Sequence, residues 1–120
     1  MSERYRKAER KGRRAEQYAA LMLMLKGYGI LERRWKTPVG EIDLIIRRGR
    51  TIAFVEVKAR RDIATAIQAV TPTARARISA AADLWVSQAN SKNYAYRFDL
   101  VTISGWRIRH LKNAWHNEMA

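Results

Sequence analysis

Between residues 40 and 60, GEIDLIIRRGRTIAFVEVKAR, apolar residues recur at every second position in two separate runs. Ile42, Leu44 and Ile46 form the first run, and Ala53, Val55 and Val57 the second. A period of two predicts two strands. Arg48-Gly49-Arg50-Thr51 joins them, and Gly49 suits the positive φ at the first central position of a type II′ turn. With Gly49 and Arg50 as the loop, Arg48 pairs with Thr51. Asp43 then faces Glu56, and Glu41 faces Lys58. All four charged residues share one face, and the apolar residues share the other. A slip of one residue would drive the charges into the core, so the register is strongly specified.

Before the hairpin, a helical pattern runs from about residue 12 to 26, with Tyr18, Leu21, Met22 and Leu25 as its apolar stripe. Gly27 is placed to end it. Residues 30–36 read as a short edge strand, and residues 37–40 as a turn. After the hairpin, residues 63–70 are apolar and alanine-rich without a period, an irregular crossing segment. Thr71 and Pro72 then open a helix as N-cap and first residue, running to about residue 88. Ile78, Ala81, Ala82 and Trp85 form its buried stripe. A loop at 90–93 leads to a strand at 94–103, a turn at Ser104-Gly105, and a last strand at 106–111. Residues 113–120 read as a tail. The order α-β-β-β-α-β-β predicts an α/β fold, a mixed sheet of about five strands flanked by helices.

Composition narrows the class. A chain of 120 residues that is 48% hydrophobic folds around one core. Residues 12–115 are expected to be that domain, after a flexible basic arm at 1–11 and before a tail at 116–120. There is no apolar run long enough for a membrane span and no signal-peptide pattern, so a cytoplasmic protein is expected. The absence of cysteine excludes disulfides and thiolate zinc sites. His110 and His116 lack ligand-spaced partners and read as surface residues. The net charge of +13 points to a polyanionic partner, most simply nucleic acid. Arginine predominates, which suits phosphate contacts. Arg13 and Arg14 near the first helix, Arg60 and Arg61 after the hairpin, and Arg75 and Arg77 on the second helix are the candidate contacts.

Against that basic background, Asp43 opposite Glu56 stands out. Cross-strand pairs are about 5 Å apart at Cβ, and two carboxylates there repel by roughly 3 kcal/mol at an effective dielectric near 20. A bound divalent cation removes that cost and takes carboxylate oxygens as hard ligands. Lys58, one step along, can neutralise charge and orient a water. Glu16 by itself reads as a carboxylate favouring the start of a helix.

Asp43 followed by Glu56-Val57-Lys58 after an apolar run resembles the signature of restriction-endonuclease-like, or PD-(D/E)xK, nucleases. More of the chain is similar to the YraN family of small bacterial proteins, which are related to archaeal Holliday junction resolvases. The matching pieces are Ala15-Glu16, Gly27-Tyr28-x-Ile30-Leu31, GEIDLI at 40–45, FVEVKAR at 54–60, Val70-Thr71-Pro72 and RFDLV at 97–101. The resemblance implies a restriction-endonuclease-like fold and a role for Glu16. It implies a site of Asp43, Glu56, Lys58 and Glu16. Mg²⁺ or Mn²⁺ would be held by Asp43, Glu56, the Val57 carbonyl and Glu16. One departure is Ala74, where such proteins usually place a lysine; Arg75 or Arg77 is expected to substitute. The implied function is metal-dependent hydrolysis of DNA, branched or flapped DNA included. A junction-cutting role would need a homodimer. A nucleic-acid-binding module of the same fold without cleavage activity is the alternative, and a basic scaffold protein a third reading.

Overall fold

Ser2 begins the first helix. Its hydroxyl accepts the Tyr5 N–H at 3.2 Å, and α1 runs Glu3–Leu25. The basic segment expected as a flexible arm is therefore the exposed first half of this helix. Its charged residues are strong helix formers with no packing duty, so they carry no apolar period to read. At the other end Gly27, at φ 93°, acts as foreseen. Tyr28 N–H bonds Leu23 O and Gly27 N–H bonds Met24 O, both at 3.0 Å, a Schellman closure.

The computed structural model describes residues 2–89 and 93–116. Residues 90–92 of the expected loop and 117–120 of the expected tail lie outside them. After α1 come β1 (Gly29–Thr37), β2 (Gly40–Arg48), β3 (Thr51–Ala59), α2 (Ile63–Ala69), α3 (Pro72–Ala89), β4 (Ala95–Ser104) and β5 (Arg107–Trp115). The segment expected to be irregular is α2, capped by Asp62, whose carboxylate accepts the Thr65 N–H at 2.7 Å. Seven residues are too few to display a helical period. Thr71 caps α3 as its sequence position foretold, accepting the Ala74 N–H at 3.1 Å. β5 runs past its expected end to Trp115, which stacks on Phe98 of β4 at 5.4 Å.

The five strands form one mixed sheet in chain order. β3 and β4 are parallel, joined across α2 and α3, and the other neighbours are antiparallel. The predicted turn is in place: Arg48 pairs with Thr51, and Gly49 has φ 61°. Both sheet faces are buried. Ala19, Ala20 and Leu23 of α1 cover Leu44, Ile46, Ala53, Val55, Val57, Val101 and Ile103. On the opposite face Ile78, Ala81, Ala82 and Trp85 of α3 cover Ile42, Ile45, Ile52, Phe54, Phe98 and Leu100.

Two expectations change here. Of the expected α1 stripe, Met22 packs half-buried against the core, whereas Tyr18, Leu21 and Leu25 are exposed; the buried row is Ala19, Ala20 and Leu23. Glu16 lies one turn before Ala19 and Ala20 on that same inward side. Ile42 also leaves the face of Leu44 and Ile46 and packs under α3.

Candidate active site

The flip of Ile42 has a local cause. The β2–β3 ladder runs from Arg48–Thr51 to Leu44–Val55 and stops. Beyond it β2 stays with β1, where Trp35 pairs with Ile42, and β3 stays with β4, where Lys58 pairs with Thr102. The sheet therefore splits at Asp43. Opposite Asp43, Arg34 of β1 adopts a left-handed backbone at φ 49° and drops out of the ladder. Such irregularities re-aim side chains. Asp43 turns into the split, and its Oδ2 accepts the Val57 N–H at 2.8 Å, replacing the missing ladder bond.

Asp43 and Glu56 meet as expected, although through side chains rather than a continued ladder. Their carboxyls share a hydrogen bond. Burial, then that bond and the charge of Asp43, push the Glu56 carboxyl up to about 9, opposed by Lys58. Lys58 Nζ lies 3.7 Å from Glu56 Oε1. Glu41 does not face Lys58. It pairs with Lys36 on β1, and its carboxylate is 3.8 Å from Arg34 Nε.

Glu16 reaches the site from α1. Its carboxyl is raised to about 7, first by burial and then by Asp43 and Glu41, against Arg34 and Arg13. Glu16 Oε2 lies 3.5 Å from Arg34 Nε, a buried nitrogen without a hydrogen bond, held between two acids. The helix-dipole reading of Glu16 fails because α1 starts at Glu3, far upstream. Spacing with Ala19, Ala20 and Leu23 was the available signal: an acid on a small-residue face that packs close to a sheet.

A cavity of about 460 Å³ adjoins the acid pair on the α3 side, lined by Thr37, Gly40, Glu41, Glu56, Ala74 and Arg77 among others. Gly40 makes this approach feasible, since a Cβ there would lie 2.4 Å from the Arg77 carbonyl oxygen. Of the two arginines expected to substitute beside Ala74, Arg77 lines this cavity, whereas Arg75 is turned to the Val70 carbonyl at 3.2 Å. On the α1 side a smaller cavity of about 160 Å³ brings Arg13, Arg33 and Arg34 beside Glu16. Arg14 is exposed on α1 and lines neither cavity, and Arg60 and Arg61 line a separate groove beyond β3.

His110 is not a surface residue; its side chain is 2% exposed. Lys26 Nζ donates to its Nδ1 at 2.8 Å, so its Nε2–H donates to Asp99 at 2.7 Å. Asp99, fully buried, also accepts from Arg97 Nε at 2.9 Å and the Asn113 N–H at 3.0 Å. Burial pushes this carboxyl up, but the bonds from His110, Arg97 and Asn113 together hold it below its usual range. The acid in RFDLV thus braces β4 and β5 rather than joining the acid pair.

Among the described residues, no three His, Cys, Asp or Glu side chains are grouped as a metal site. The donors in contact are Asp43 and Glu56, with the Val57 backbone beside them. Mg²⁺ commonly takes one or two carboxylates and keeps several waters, so this all-oxygen set fits such an ion. Burial and the neighbouring Asp43 hold the Glu56 carboxyl high, and a cation between the two acids would offset that repulsion.

Fold and site together define a class: a small α/β protein whose mixed five-stranded sheet opens around a carboxyl pair and a lysine. The chain belongs to the family described as Uncharacterised protein family UPF0102, which matches residues 15–103. This is the YraN family suggested by the motifs. A UPF0102 protein of Mesorhizobium japonicum is 51% identical over 112 residues, covering 92% of this chain and 90% of that protein. One from Rhizobium meliloti is 50% identical over 111 residues, covering 91% of each. One from a Chelativorans species is 51% identical over 112 residues, covering 91% of this chain and 90% of that protein.

Proposed function

We propose that this protein is a metal-dependent nuclease that hydrolyses phosphodiester bonds in DNA, on a restriction-endonuclease-like version of its α/β fold. The observation that carries the reading is the acid pair. Asp43 and Glu56 are turned toward each other at the split in the sheet, at a cost that raises Glu56 to about 9. Stability alone gives no reason for such a pair, whereas a divalent cation does. Asp43, Glu56 and the Val57 carbonyl would hold Mg²⁺ or Mn²⁺, with Glu16 at the rim. Bound there, the ion supplies Lewis acidity to a phosphate oxygen and lowers the pKa of a coordinated water.

The protein's own groups do the rest. Glu56 would give up its proton to become a ligand. Lys58 Nζ, held beside Glu56, donates hydrogen bonds that orient the attacking water. Arg77 on one side and Arg13 on the other contact phosphates flanking the cut bond. These contacts read the backbone, not the bases. Cutting two strands of a junction would require two copies of the chain.

The test is cleavage of labelled linear, flapped and four-way DNA with Mn²⁺, Mg²⁺ or EDTA. Cutting should require metal and fall at least ~100-fold in Asp43→Ala and Lys58→Ala, the scale of a lost acid–base or electrostatic partner. Salt-sensitive binding without cutting under any metal condition would establish the non-cleaving module instead.

A further inference from the structure

The tip of the β4–β5 hairpin presents an aromatic surface that neither the core nor the acid pair uses. Ser104 pairs with Arg107, leaving Gly105 and Trp106 as the turn, with Gly105 at φ 62°. Trp106 is 80% exposed. So large an apolar ring left in water has no packing role in the fold. The Arg107 guanidinium carbon lies 5.6 Å from the indole centroid.

The tip is also well anchored. Tyr18 of α1 donates its hydroxyl to the Trp106 carbonyl at 3.1 Å. Ser104 Oγ donates to the Arg61 carbonyl, and the Arg60 N–H bonds Ile103 O at 2.9 Å. These bonds tie the hairpin to α1 and to the segment leaving β3. Next to the tip lies an open groove of about 580 Å³, lined by Lys11, Arg60, Arg61, Thr65 and Gly105 among others. Asp62 is the acid nearby, 3.5 Å from Arg61. The groove begins where β3 leaves Lys58: Lys58 pairs with Thr102 and Ala59 with Ile103. From Thr102 to Trp106 is four residues, roughly 13 Å along a strand.

We propose that Trp106 is a stacking platform for an unpaired base of a DNA strand whose phosphates lie in the Lys11–Arg60–Arg61 groove. A flat ring on an anchored hairpin tip, beside a cationic track, is the kind of arrangement single-strand sites use. A base inside a duplex is already stacked on its neighbours and offers no free face. The substrate class is thus DNA with a single-stranded segment: a tail, a flap or a frayed end. The inference rests on DNA being the ligand but not on its being cut.

The experiment is fluorescence anisotropy with the full chain in EDTA, so cleavage plays no part. The probes are a labelled single strand, a blunt duplex of the same sequence, and that duplex with a single-stranded tail. Trp106→Ala should lose about tenfold in affinity for the single strand and the tailed duplex. It should change blunt-duplex binding less than about twofold, and Trp106→Phe should retain most of the binding on all three. Lys11→Gln with Arg61→Gln should weaken all three and flatten the salt dependence. An equal loss on blunt duplex, or no loss from Trp106→Ala on any probe, overturns the stacking site. A selective loss supports it even if no cleavage is ever seen, while cleavage without that selectivity keeps the nuclease and removes the platform.

Discussion

The raised Glu56 carboxyl sets how the metal-free protein responds to pH. Its folded value, about 9, lies above the ordinary 4.5. Between those values the folded protein binds more protons than the unfolded chain, so stability falls as pH rises through the window. Glu56→Gln keeps a hydrogen-bonding side chain and removes the titration. In EDTA it should flatten the decline in melting temperature between pH 5 and 9 and melt higher than wild type at the alkaline end, measured by thermal scans. A cation competes with the same proton. Mn²⁺ affinity by calorimetry should therefore rise with pH, approaching tenfold per unit below 9 for one displaced proton, with Glu16 adding to the slope near 7. Affinity independent of pH would place the ion elsewhere. Asp99 makes a contrasting case, a buried acid whose partners are all satisfied. Asp99→Ala leaves Arg97 and His110 without their acceptor, and should cost about 3–5 kcal/mol in denaturant unfolding.

Gly40 shows how elements, rather than single side chains, shape the site. A Cβ at this position would meet the Arg77 carbonyl at 2.4 Å, and the obstacle is helix backbone that cannot rotate aside. Gly40→Ala should force α3 from the start of β2, cost about 1–3 kcal/mol, and lower Mn²⁺ affinity by misplacing Glu56 against the α3-side cavity. Urea titration and calorimetry would read the two effects separately. The elements themselves were unevenly legible in the sequence. The β2–β3 hairpin could be read because its alternation, Gly49 and the Arg48–Thr51 register all agree. Thr71-Pro72 marked α3 because a cap is a local signal. Asp43 and Glu56 stood out as like charges expected to oppose one another across the hairpin, with Lys58 one step along. The split at Asp43 could not be read, because Arg34 in a left-handed conformation has no sequence mark and the ladder ends through tertiary packing. The α1 stripe was only partly placed because Ala19 and Ala20, which carry little apolar signal, meet the sheet beside Leu23 and Met22. His110 was missed because its partner Asp99 is one strand away, where spacing along the chain says nothing.

At the scale of the molecule, positive charge outweighs negative, with 24 Lys and Arg against 11 Asp and Glu, and much of it lies on α1. The helical period sets Lys7, Lys11, Arg14 and Tyr18 along one side of α1, and Tyr18 is bonded to the Trp106 carbonyl. Arg6, Arg10 and Arg13 follow the neighbouring stripe, which leads to the cavity beside Glu16. On the proposed reading, a DNA strand lying along this helix would run between the cavity beside Glu16 and the hairpin tip. Binding of that kind would release counterions, with log K falling against log salt by about 0.9 per duplex phosphate neutralised. Replacing Lys7, Lys11 and Arg14 with Gln preserves helix propensity and removes three of these contacts. The slope for blunt duplex should then shrink by up to about 2.7, while single-turnover cleavage at saturating protein stays near the wild-type rate. Asp43→Ala should do the reverse, losing the rate and keeping the slope. The two sets of variants thus separate holding the DNA from cutting it. If the lysine and arginine changes left the salt slope intact, the exposed half of α1 would not be the surface along which the backbone runs.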